Sequence, residues 1–186
     1  GTFRHGWPVP TVIPCLIALI ALAALLAACG EDELEVPAAA GTHIAFVSGP
    51  YPNRDVYVMR ADGGNQWNLT NRPGWDASNP TWSPYGSRIA FEHWRDGHGA
   101  IYVMDTDGRN QTNLTNSRSG RDRDPAWSPD GRRIAFTSSR DGIREIYVMD
   151  TDGANVTNLT NRPGGSDYDP AWSPDGRRIA FASVRD

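Results

Sequence analysis

From Gly41 onward the chain is built of short runs in which apolar and polar positions alternate, each bounded by Gly, Asp, Asn or Pro. No ten-residue window shows helical periodicity. Arg133-Ile134-Ala135-Phe136-Thr137-Ser138 and Glu145-Ile146-Tyr147-Val148-Met149-Asp150 are β-branched and aromatic, and they read as strands. Asn155-Val156-Thr157-Asn158-Leu159-Thr160 reads as a third strand, polar enough for a sheet edge, and Asp124-Pro125-Ala126-Trp127-Ser128 as a fourth. Asp62-Gly63, Asp107-Gly108 and Asp152-Gly153, together with the Pro-Asp-Gly triplets, supply turns, because Gly tolerates the positive φ that tight turns demand.

The whole pattern recurs at a fixed interval. Trp82, Trp127 and Trp172 stand 45 residues apart, and each opens a Trp-Ser-Pro string. Ile-Ala-Phe begins at Ile44, Ile89, Ile134 and Ile179, Tyr-Val-Met at Tyr57, Tyr102 and Tyr147, and Asn-Leu-Thr-Asn at Asn68, Asn113 and Asn158. Four short antiparallel strands every 45 residues are the pattern of a propeller blade. The expected fold is therefore an all-β propeller of four-stranded antiparallel blades. Its units span residues 41–79 (lacking the Trp strand), 80–124, 125–169 and 170–186 (the first two strands). That makes about three blades, where closure takes about four to eight, so the propeller is expected to be incomplete and the chain a fragment of a longer protein.

The strings Asp124-Pro125-Ala126-Trp127-Ser128-Pro129-Asp130-Gly131, Ile146-Tyr147-Val148-Met149-Asp150 and Asn158-Leu159-Thr160 resemble the WD-like propeller repeat of the TolB family. The same repeat occurs in the propeller domains of prolyl oligopeptidase and dipeptidyl peptidase IV relatives. The resemblance covers residues 41–186. It implies a protein- or peptide-binding scaffold in the cell envelope, as TolB serves the periplasmic Tol–Pal system. It also leaves open the propeller part of a serine peptidase whose catalytic domain is not in this sequence, or a carbohydrate-binding or carbohydrate-processing propeller.

The N-terminal segment is of another kind. Arg4 and His5 precede the apolar run from Leu16 to Ala28, which is too short to span a bilayer of about 30 Å and suits a signal-peptide core. Its ending, Leu26-Ala27-Ala28-Cys29, resembles the lipobox of bacterial lipoproteins. That resemblance implies a signal peptide over residues 1–28, a diacylglycerol on Cys29 and a flexible acidic tether over 29–40. The protein is then expected outside the cytoplasm, in the periplasm or at the outer surface, touching a membrane only through its lipid. TolB itself is soluble, so the lipobox departs from that family's pattern.

Charge and candidate chemistry add less. Net charge is −4, and all 18 basic residues are Arg with no basic block, which argues against nucleic acid as a partner. The serines of the Trp-Ser-Pro strings recur structurally, with no His recurring beside them, so they are expected to cap turns, and no catalytic residue is assigned. Trp82, Trp127 and Trp172 are assigned to the blade core. Asp122, Asp124, Asp167 and Asp169 are weak candidates for a rim Ca²⁺ site; no other cofactor is expected. Glu92, His93 and His98 fall in what reads as a hairpin loop unlike that of the next unit, where function can be grafted.

Overall fold

The computed structural model describes residues 42–116, 120–162 and 164–184. The signal peptide, Cys29 and the tether read from the sequence lie outside them.

The described residues form four antiparallel sheets in chain order. The first holds β1 (His43–Ser48), β2 (Asp55–Arg60) and β3 (Trp67–Asn68), and the second β4 (Asp76–Trp82), β5 (Arg88–Arg95), β6 (His98–Asp105) and β7 (Thr112–Asn113). The third repeats this order with β8 (Asp122–Trp127), β9 (Arg133–Ser138), β10 (Glu145–Asp150) and β11 (Thr157–Asn158). The last holds β12 (Ser166–Trp172) and β13 (Ile179–Val184). Each sheet meets its predecessor through its first strand: β4 packs on β1 and β2, β8 on β4, β5 and β6, and β12 on β8, β9 and β10.

Because the sheets stack face to face, a middle strand is covered on both sides. Ile89 and Phe91 of β5 join Val56, Val58 and Met104 in the core between the first two sheets. Ala90 joins Ile101, Val103, Ile134, Phe136 and Met149 in the next. Burying a side chain such as Phe136, which is 0% exposed, stabilises by about 1.5–3 kcal/mol.

The recurring Trp ties one sheet to the next. Trp127 Nε1 donates to the carbonyl of Thr81 at 3.2 Å, and Trp172 Nε1 to that of Ala126 at 3.1 Å. Trp82 Nε1 is buried without an acceptor among the described residues. The serine beside each Trp closes its own turn: Ser128 Oγ accepts from Arg133 N (2.9 Å) and donates to Asp130 (2.5 Å), and Ser173 repeats this with Arg178 and Asp175.

Three local readings of the sequence are corrected. First, the Pro residues taken as unit starts lie inside β4, β8 and β12. Each strand shifts register at that point, between Ser78 and Thr81, Arg123 and Ala126, and Tyr168 and Ala171. The residue before each Pro, Asn79, Asp124 or Asp169, has φ of 48°, 52° or 54°. Asn and Asp accept this left-handed conformation, and a bulge tolerates a Pro without N–H, so the strand continues through it. Second, the strand expected over residues 155–160 shrinks to Thr157–Asn158. Asn158 Oδ1 accepts from the backbone N of Thr160 and Asn161 (3.1 and 3.0 Å), bending the chain off the ladder. Third, His93 is not in a loop. β5 and β6 pair as far as Arg95↔His98 around a two-residue Asp96-Gly97 turn, whose positive φ values of 52° and 83° are those of a type I′ hairpin. His93 is 5% exposed, so His93→Ala is expected to lower stability, unlike a change in an exposed loop.

Two predictions follow from close approaches and charge. Gly153 has φ +86°, and a Cβ there would lie 2.5 Å from the Leu114 carbonyl of the preceding sheet, whereas Gly63 has φ +84° with open space around it. Gly63→Ala should cost ~1–2 kcal/mol, the left-handed conformation alone, and Gly153→Ala about 2–5 kcal/mol, with the clash added. Chemical denaturation of both variants measures the difference. The Asp124 carboxyl titrates above the usual carboxylate range, first because it is half-buried and then because the charges of Glu92 and Asp169 repel its own. Its protonated form therefore favours folding, and stability drops as pH rises from the ordinary carboxylate pKa through the raised one. Asp124→Asn, which copies Asn79 of the sheet before, escapes that loss. It should raise the melting midpoint at pH 7 and leave it unchanged near pH 3, as thermal melts at the two pH values would show.

Candidate functional site

The second sheet carries residues that its neighbours lack. At the 45-residue register Glu92-His93-Trp94 replaces Thr137-Ser138-Ser139. Successive residues of a strand point to opposite faces, so Glu92 and Trp94 face the third sheet and His93 the first.

Glu92 is 4% exposed, and its carboxylate is fully engaged. Oε1 accepts from Asn79 Nδ2 (2.6 Å) and from the backbone N of Asp124 (2.8 Å), and Oε2 from Ser78 Oγ (3.0 Å) and Trp94 Nε1 (3.2 Å). One side chain thus joins two sheets and fixes an indole. Trp94 lies over Gly99, where a Cβ would come within 3.0 Å of the ring. From the third sheet the guanidiniums of Arg121 and Arg123 sit 5.3 and 4.6 Å from the Trp94 ring centroid, within cation–π range.

These groups form one wall of a cleft of about 620 Å³. Opposite stands a paired wall. Arg54 Nε and Nη2 donate to the two oxygens of Asp76 at 2.9 and 2.5 Å, and Arg54 N adds a third bond at 3.1 Å. This fork holds the Asp76 carboxyl below its ordinary range, with the Arg54 hydrogen bond as the main cause. Tyr51 and Arg95 complete the rim.

Behind the cleft His93 packs against Trp75, centroids 3.9 Å apart, and Tyr102, 4.9 Å. Arg72 and Arg95 lie over Trp75 at 4.9 and 5.1 Å. Burial first, then the charges of Arg72 and Arg95, press the His93 pKa down to about 4, so the ring is neutral at physiological pH. Its Nε2 is buried without a partner among the described residues.

The residues singled out in the sequence are dispersed. Asp122 is wholly buried and bound by Ser138 Oγ (2.5 Å) and Arg140 Nη2 (3.2 Å to Oδ2) inside the third sheet. Asp167 accepts from Ser183 Oγ at 2.6 Å in the same way. Asp124 and Asp169 are the bulge residues. Glu92 and His93 point to opposite faces, and His98 is exposed at the start of β6. Among the described residues no three His, Cys, Asp or Glu side chains converge as a metal site would require. The sequence reading missed Trp94, Arg121, Arg123, Arg54 and Asp76. The break in the repeat at residues 92–94 was the signal that could have found the first of them.

Residues 109–186 match the family model described as TolB beta propeller domain. A TolB-type protein of Agrobacterium tumefaciens superposes with a TM-score of 0.69 at 31% identity, over 78% of this chain and 51% of that one. TolB from Acinetobacter baumannii gives 0.65 at 28% identity, over 78% of this chain and 36% of that one. A puromycin hydrolase gives 0.63 at 16% identity, over 78% of this chain and 24% of that one, which is a likeness of fold alone. The chain thus spans about half the length of the Agrobacterium protein and less of the others. No curated protein matches it. With its 45-residue units folded as successive four-stranded antiparallel sheets, two of them complete among the described residues, the chain has TolB-like β-propeller blades, and residues 109–186 carry the match to that family.

Proposed function

We propose that this protein is a non-enzymatic binding scaffold of the cell envelope, lipid-anchored at Cys29, which holds an extended segment of a protein partner in the cleft beside Trp94. The observation that carries this reading is the break in the repeat. Where the third sheet has Thr137-Ser138-Ser139, the second has a buried carboxylate and an indole that line a polar cleft, with a buried imidazole behind them. A regular array needs none of these, and departures from regularity on a fixed framework are where binding is built. Likeness to TolB proteins supports an extracytoplasmic setting, and the lipobox supports the anchor.

The scaffold reading is tested by placing a photo-crosslinking amino acid at position 95, on the cleft rim, and at exposed position 132 as control. Cells making the full-length protein should yield a defined polypeptide adduct at position 95 and none at 132. Equal adducts at both positions, or none at either, would refute it. Cleavage of peptide substrates by the purified full-length protein would point instead to the peptidase reading. The anchor is tested separately. Labelled palmitate should mark the protein, and Cys29→Ala should abolish the mark.

A further inference from the structure

The cleft is not electrically even. Arg54 is satisfied by Asp76, and Arg95 lies 3.2 Å from Asp96. Arg121 and Arg123 have no carboxylate within ion-pair distance among the described residues, and Arg123 Nε is buried without an acceptor. Arg121 is exposed, but Arg123 is part-buried, and a guanidinium partly removed from water without a counter-charge is costly; the face of Trp94 offsets only part of that cost. Yet both are held in place. Arg121 pairs through its backbone with Gly99 across the gap between sheets, and the indole beneath them is fixed by Glu92 and seated on Gly99.

The balance of charge restricts what can fill the position. The lining carries Arg54, Arg95, Arg121 and Arg123 against Asp76, Glu92 and Asp96, a surplus of one positive charge. A polyanion would meet three carboxylates, whereas a single carboxylate is matched. Two planar guanidiniums side by side suit the two oxygens of such a group, and Tyr51 on the rim, 79% exposed, offers an apolar face to a neighbouring residue of an extended chain. We infer that Arg121 and Arg123, held over Trp94, form a pocket for one carboxylate of an extended peptide. This deepens the scaffold reading and rests on it. Glu92 and Gly99 are positioning residues, acting through the indole.

Calorimetric titration of the full-length protein tests this with three peptide probes of one length: a doubly capped peptide with a single Glu, its Gln isostere, and the Gln peptide with a free C-terminal carboxylate. The Glu peptide should bind at least ~10-fold more tightly than its isostere. If the free C-terminal form recovers that affinity, a chain end is the natural source of the carboxylate; if it does not, a side chain is. Arg121→Met with Arg123→Met, checked for an unchanged fold by circular dichroism, should lose the same factor. Arg132→Met with Arg177→Met, an equal loss of charge at exposed turns, should lose nothing. Should the first pair misfold, Gly99→Ala and Arg123→Lys serve instead: each keeps the net charge, one displacing the indole and the other removing the planar fork, and each should weaken the Glu peptide severalfold. Equal binding of Glu and Gln peptides, undiminished binding by Gly99→Ala together with Arg123→Lys, or displacement of the Glu peptide by equimolar inorganic phosphate would overturn the assignment. Crosslinks at position 95 without a carboxylate preference would sink this inference alone; absence of those crosslinks would sink the scaffold reading beneath it.

Discussion

The bond from a Trp indole to a carbonyl of the preceding sheet is the constraint on which the stack depends. Within a sheet, hydrogen bonds are plentiful and need no special residue. Between sheets the contact is mostly apolar, and apolar burial fixes distance better than register. The Trp127 bond to Thr81 and the Trp172 bond to Ala126 add direction: each points at one carbonyl, and both span 46 residues. The Asp-Gly turns that follow β6 and β10, at the same strand end as the Trp residues, add a second restraint, since Gly108 and Gly153 rest against the Leu69 and Leu114 carbonyls. Between the second and third sheets both contacts occur, and together they set how a greasy surface docks.

The bulges then determine what the stack can present. A regular strand would bury every second side chain of β4 and β8. The shift at Asn79 and Asp124 turns a backbone N–H out of the ladder, and the carboxylate of Glu92 collects one of them. The cleft and the fold therefore use the same irregularity. Strand residues upstream of the bulge form the cleft wall, and those downstream carry the Trp.

Much of the architecture was legible because period is a property of sequence. Fixed spacing of Trp, Ile-Ala-Phe and Tyr-Val-Met required no knowledge of three dimensions, and the all-β blade pattern came from it. Strand limits were less legible. Pro80, Pro125 and Pro170 look like boundaries, since Pro gives no ladder hydrogen bond, and only the left-handed residue before each reveals a bulge. The Asn158 side-chain bonds likewise replaced a ladder that alternation alone suggested. The cleft was least legible, because it joins residues from three sheets: Arg54 with Asp76, Glu92 with Asp124, and Trp94 with Arg121. Nothing local in Arg121-Asp122-Arg123 says that the acid faces Arg140 while the two bases face an indole. His93 was misplaced for a related reason: an Asp-Gly pair three residues beyond it looked like a longer loop.

Near-identical units create a hazard of their own, since a strand could pair with its counterpart from the wrong unit and lose few contacts. The ion pairs work against this. In the third sheet Asp122 is matched with Arg140 of the same sheet, eighteen residues ahead; the position equivalent to Asp122 in the second sheet is Ala77. There the acid is Asp76, matched with Arg54 of the preceding sheet, twenty-two residues behind. Exchanging β4 and β8 would bury Asp122 away from its arginine and leave Arg54 facing none of its acid's oxygens. Salt bridges that add little net stability when correctly formed act here as address labels, making strand exchange between look-alike units expensive during folding.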